Sequence, residues 1–216
     1  MKSKFLAVFA FVLPVLAVAQ SDTEIQFWSE VGAKRDLSKH WNASVAVHYR
    51  YAPYAFSLDR AIVEAQIAQK VNKRWKRSLE VRNYTMYTPR TEETALDQRL
   101  RLRYSAERSF NKVHGDLSVR AALQHRLPLV GGGNQRTTLR LRTSYEYPVP
   151  NFKWDPEFQV EYLHDLNNNF ERCMRVGIGS GRRLVLGKGS LGYFYERNFT
   201  NTDPHRHVLQ WSYTLM

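Results

Sequence analysis

Five times along this chain, a run of alternating apolar and polar residues is closed by a small turn residue beside a lysine. The junctions are Leu37-Ser38-Lys39-His40-Trp41, Val71-Asn72-Lys73-Arg74-Trp75, Phe110-Asn111-Lys112-Val113-His114, Pro150-Asn151-Phe152-Lys153-Trp154 and Leu186-Gly187-Lys188-Gly189. Their turn residues, at 38, 72, 111, 151 and 187, recur every 34 to 40 residues. A fixed period of this length marks a repeated supersecondary unit. Each unit here has room for two strands and a turn.

Strict period-two alternation is the signature of strands with two different faces. Trp41, Ala43, Val45, Val47 and Tyr49 alternate with Asn42, Ser44, Ala46, His48 and Arg50. Leu100, Leu102 and Tyr104 alternate with Arg99, Arg101 and Arg103, and Leu139 and Leu141 with Arg140 and Arg142. One face is apolar and the other is rich in arginine. Runs of this kind lie near 25–35, 41–51, 59–71, 75–87, 97–108, 115–127, 137–148, 155–166, 171–186, 189–198 and 205–215. Most are longer than the ~5 to 6 residues of soluble sheets and close to the ~9 to 11 of a tilted membrane-spanning strand. The fold class they imply is all-β: an antiparallel transmembrane up-and-down β-barrel of about 10 to 12 strands. The eleven runs sit awkwardly with the even strand numbers of single-chain bacterial barrels.

A leader precedes the first run. Met1-Lys2-Ser3-Lys4 is basic, Phe5 to Val18 is apolar, and Ala17-Val18-Ala19 before Gln20 fits a small-x-small cleavage site. The apolar stretch is too short for a spanning helix. The expected organisation is a cleaved signal peptide over 1–19 and one barrel domain over 20–216, exported to the outer membrane of a Gram-negative bacterium. The single cysteine, Cys173, excludes an internal disulfide framework. The formal charge of +12 loses Lys2 and Lys4 with the leader, leaving +10. Export turns that charge away from nucleic acid and towards lipopolysaccharide phosphates, a small anionic solute, or the chain's own carboxylates.

Aromatic residues supply an independent mark. Trp41, Trp75 and Trp154 begin strands beside the lysine turns, while Tyr49, Tyr84 and Tyr162 follow about 8 to 9 positions later. At ~3.3 Å per residue and a tilt near 40°, eight to ten residues climb about 20 to 25 Å, the height of the apolar band between two aromatic girdles. Short lysine turns alternate with longer links near 52–58, 88–96, 128–135, 167–169 and 199–204. Short turns face the periplasm in bacterial barrels and longer loops face outward.

Gln26-Phe27-Trp28-Ser29, Leu37-Ser38-Lys39-His40-Trp41, His48-Tyr49-Arg50-Tyr51, Glu80-Val81-Arg82-Asn83-Tyr84 and Gln98-Arg99-Leu100-Arg101 resemble the domain-of-unknown-function family 2490. The resemblance covers essentially the whole mature chain. It implies an outer-membrane β-barrel of a Gram-negative bacterium and brings no activity, cofactor or catalytic residue.

Alternation assigns Arg50, Glu64, Glu80, Arg82, Arg99, Arg101, Arg103, Arg140, Arg142, Glu146, Glu161 and Arg175 to the lumen. Arginine–glutamate pairs could plug so narrow a bore. Alternatively, rings of arginine select for small anions, and Arg99, Arg101 and Arg103 on one strand form a ladder that no single glutamate should neutralise. An outer-membrane enzyme acting on lipid A or peptides would need a nucleophile, a base and an orienting group. No such motif occurs, and His164-Asp165 should point to opposite faces. His205 and His207 share a face without a visible third metal ligand. No cofactor or metal is expected. A soluble periplasmic ligand-binding barrel would reverse the faces, with the apolar side within and the arginines outside.

Overall fold

A computed structural model describes residues 23–51, 58–89, 94–112, 115–131, 133–150, 154–168, 170–199 and 205–216. The leader over 1–19 and the segment 151–153 of the fourth lysine junction lie outside them.

All eleven alternating runs are strands: β1 (Thr23–Asp36), β2 (Trp41–Tyr51), β3 (Leu58–Lys70), β4 (Trp75–Pro89), β5 (Thr94–Lys112), β6 (Gly115–Val130), β7 (Arg136–Glu146), β8 (Pro156–Asp165), β9 (Phe170–Leu184), β10 (Gly187–Asn198) and β11 (His205–Leu215). Each pairs with its neighbours in sequence, and β1 closes on β11 to complete a barrel. Closure leaves no strand edge exposed. Eleven strands wound up and down place the first and last in the same direction. The seam is therefore parallel, in register from Thr23↔His205 to Ala33↔Leu215. The count falls inside the expected ten to twelve, but the pairing is mixed at this one seam rather than antiparallel throughout. An even number is not required, because a parallel ladder also satisfies both partners' backbone groups.

The first two lysine turns are capped by side chains. Ser38 Oγ accepts hydrogen bonds from the backbone N–H groups of His40 (3.3 Å) and Trp41 (3.1 Å). Asn72 Oδ1 does the same for Arg74 (2.8 Å) and Trp75 (2.9 Å). Short Ser and Asn side chains mimic a backbone turn in this way. One expectation about the links fails. The β7–β8 connection over 147–155 lies at the lysine-turn end and is longer than any link at the opposite end. Val149 N–H donates to Asp155 Oδ1 there, 3.0 Å away.

The apolar face is outside. Val45, Val63, Leu79, Leu123, Leu191 and Leu209 are each about half exposed, and every strand contributes outward apolar residues of this kind. The alternate positions enter a lumen filled by side chains, where Ile62, Leu163, Phe194 and Val208 are buried among charged groups. Phe194 stands opposite Gly177 in register. A Cβ at Gly177 would come within 2.7 Å of both the Phe194 Cβ and the Tyr193 carbonyl. Glycine thus admits the ring, the aromatic cover that lets a sheet coil tightly. Trp28 meets the same ring edge-on, with 5.1 Å between centroids.

Candidate functional site: the charged lumen

Inward parity brings arginines and carboxylates of neighbouring strands face to face. On one side of the lumen His48 (β2) lies between Glu30 (β1, 3.3 Å) and Glu64 (β3, 3.2 Å). Glu64 pairs onward with Arg82 (β4), which also lies 3.0 Å from Glu80 on its own strand. Glu80 is 1% exposed and accepts from Arg101 (2.8 Å) and Arg103 on β5. On the other side Arg140 (β7) donates to Gln124 (β6, 3.2 Å) and forks both oxygens of Glu161 (β8) at 2.7 and 2.8 Å. Arg175 (β9) bridges Glu161 (3.1 Å) and Glu196 (β10, 2.6 Å). Arg206 (β11) bridges Glu196 (2.9 Å) and, across the parallel seam, Glu24 (β1, 3.2 Å). The two chains of contacts form a belt in two arcs along the wall, with Arg103 and Gln124 as register partners at one gap and Glu30 and Glu24, six residues apart on β1, at the other. Sharing Glu80, Glu161 and Glu196 each among two or three guanidiniums offsets part of the desolvation of so many buried charges.

Two cavities lie on either side of the belt. On β5 and β8, Arg103 and Glu161 fall between the residues that line one cavity and those that line the other. At the lysine-turn end a space of about 290 Å³ is lined by Glu107, Asp116, Glu146 and Glu157, with Arg120, Arg142 and three serines. Ser118 and Ser144 are 2.9 Å apart there. At the loop end a space of about 90 Å³ has fifteen lining residues, of which eight are arginine and one, Glu196, is acidic. The loop-end cavity is thus strongly cationic, and the turn-end cavity carries more carboxylates than guanidiniums.

The structure brings Arg50, Glu64, Glu80, Arg82, Arg101, Arg103, Arg140, Glu161 and Arg175 together inside the barrel. Arg99 stands nearer the loop rim, 2.5 Å from Asp97 on its own strand. Arg142 pairs with Glu157 at 3.1 Å in the turn-side cavity, where Glu146 is exposed. The ladder of Arg99, Arg101 and Arg103 is ion-paired, but by two carboxylates rather than one. Glu80 takes Arg101 and Arg103, one on each oxygen, and Asp97 takes Arg99. Each side chain spans two strand positions, so one glutamate reaches both arginines.

Trp41, Trp75 and Tyr49 are exposed on the outer surface, and Tyr162 stacks on His164 there. Trp154 is half buried just before β8. Tyr84 does not belong to a girdle. It shares parity with Glu80 and Arg82 and lies buried in the lumen, with the Arg101 guanidinium 5.3 Å from its ring. Parity alone carried that signal, as it did for Trp28, an unforeseen lumen residue under Arg50, whose guanidinium sits 3.7 Å from the ring centre. At the loop-end rim the outward surface gains Tyr193, Tyr195, His205 and His207. Tyr193 Oη and His207 Nδ1 are 2.6 Å apart. His205 Nδ1 accepts from the Asn198 N–H at 3.2 Å. Among the described residues, no cluster of three His, Cys, Asp or Glu could hold a metal ion. His164 and Asp165 point to opposite faces, and Asp165 is fully buried against Arg136, 3.0 Å away.

Fold and lumen together define a closed eleven-stranded β-barrel with an apolar exterior and an ion-paired interior. The chain belongs to the family described as "Protein of unknown function (DUF2490)", which it matches over residues 25–208. No curated protein and no solved structure matches it.

Proposed function

We propose that this protein is an integral outer-membrane β-barrel of a Gram-negative bacterium, exported by the cleaved leader 1–19, whose lumen is held shut by the arginine–glutamate belt. The observation that carries the reading is the predominantly apolar exterior of a closed barrel. Soluble monomers rarely expose contiguous apolar patches beyond a few hundred Å², whereas half-exposed Val, Leu and Ile surround this one. Lipid tails are the solvent that such a surface suits. Exposed Trp41 and Trp75 at the turn end and Phe27, Tyr49, Tyr193 and Tyr195 towards the loop end would sit at the two headgroup levels.

The belt favours a plugged barrel over an open anion-favouring channel, since Arg103 on β5 and Glu161 on β8 stand between the residues that line the two cavities. It also weighs against an enzyme acting on lipid A or peptides within the belt, because the belt carboxylates Glu80, Glu161 and Glu196 are taken up by guanidiniums. In the membrane, the capped turns would face the periplasm and the cationic cavity would face outward, towards lipopolysaccharide. Separation of inner and outer membranes on a density gradient tests the location. The reading expects the mature chain in the outer-membrane fraction, resistant to carbonate extraction; recovery in the soluble periplasm would sink it.

A further inference from the structure

We propose that the loop-end cavity is a binding site for a phosphate group, free or as a monoester. The inference needs only the folded barrel and not its membrane location. Arg82, Arg101, Arg126 and Arg136 stand directly opposite one another on β4, β5, β6 and β7, as the register pairs Arg82↔Arg101, Arg101↔Arg126 and Arg126↔Arg136. Like charges facing each other across strands destabilise a sheet. Three of the four are compensated: Arg82 by Glu64 and Glu80, Arg101 by Glu80, and Arg136 by Asp165. Arg126, between two of them, has no ion-pair partner among the described residues. Nor does Arg50, which lines the same cavity and is held flat on Trp28.

Among the described residues neither Arg50 nor Arg126 has a carboxylate within ion-pair distance, and eight arginines face one acidic residue in this cavity, which favours an anion of more than one charge. A phosphate monoester carries close to two near neutral pH, on three strong acceptor oxygens. Planar guanidinium forks bind such oxygens in pairs, and stacking on an indole fixes the fork's orientation beforehand. Size agrees with charge. A water takes up about 30 Å³ in the liquid, so about 90 Å³ is room for roughly three, on the scale of one phosphate group and too little for a whole nucleotide. Arg101, Arg140, Arg175, Glu196 and Arg206 of the belt line the cavity itself.

The test is calorimetric titration of the detergent-folded mature chain with inorganic phosphate, at constant chloride. Saturable one-to-one binding is expected. Arg50→Gln with Arg126→Gln should weaken it at least tenfold, while Arg142→Gln in the other cavity should leave it unchanged. Neither Arg50 nor Arg126 belongs to the belt, so folding should survive, as judged by heat-modifiable gel migration. Should the double variant misfold, Arg126→Gln alone carries the comparison. A second arm asks for the source of the phosphate. Diphosphoryl lipid A that displaces phosphate identifies a lipid headgroup, and failure to displace it identifies a free phosphate or soluble ester; either result keeps the site. Absence of saturable binding, or equal affinity in the folded variant, overturns it.

Discussion

Glu80 on β4 and Arg101 on β5 are joined at 2.8 Å, and the second oxygen of the same carboxylate accepts from Arg103. With Arg82 also 3.0 Å away, one glutamate that is 1% exposed holds three guanidiniums of the lumen. Breaking a buried pair by removing one partner costs about 3 to 5 kcal/mol, because a charge is left without compensation. Glu80→Gln is therefore predicted to destabilise the barrel by about that much. Glu146→Gln, on an exposed side chain at the turn-end rim, should change stability by less than about 0.5 kcal/mol. Urea unfolding in detergent, followed by tryptophan fluorescence, measures both. Equal midpoints would remove Glu80 from its central place in the belt.

The outward face is tested by single arginines. Val45→Arg and Leu141→Arg place a charge on the exterior, where arginine near a bilayer midplane costs ~2 to 4 kcal/mol. Both variants should assemble poorly into membranes. Ser44→Arg, one residue away but inside the lumen, should not suffer that lipid penalty. Normal assembly of the first two with failure of the third would reverse inside and outside.

The parallel seam makes a geometric prediction. Ser29 and Trp211 are Cα partners across β1 and β11. With Cys173→Ser as background, Ser29→Cys and Trp211→Cys should form a disulfide on mild oxidation, seen as altered gel mobility after unfolding. Ser29→Cys with Leu215→Cys, four positions out of register, should not. The opposite result would mean that β1 closes the barrel in another register.

Alternation revealed each strand because a barrel wall has two different solvents and a side-chain period of two. Ser38 and Asn72 marked turns because their side chains cap the backbone locally, within reach of a sequence reading. Relations between strands were less legible. Whether Glu80 meets Arg101 depends on register, which alternation leaves free by any even number of residues. Hence the lumen residues could be named from sequence but not the carboxylate that neutralises them. Tyr84 was misplaced because its spacing from Trp75 suggested a girdle while its parity with Glu80 placed it within; parity prevailed because the pleat admits no exception without a bulge. The odd count was legible as eleven runs, and only closure explained it. The loop-end cavity was invisible, since Arg50, Arg126 and Arg206 converge from strands far apart in sequence.

The central claim is a membrane barrel shut by its own ion pairs, and planar-bilayer recording tests it most directly. The measurement uses folded protein first shown to float with lipid vesicles, so that insertion is not in doubt. The account predicts no discrete conductance from the wild-type chain. Steady anion-selective steps from wild-type protein would contradict it and make the lumen a pore.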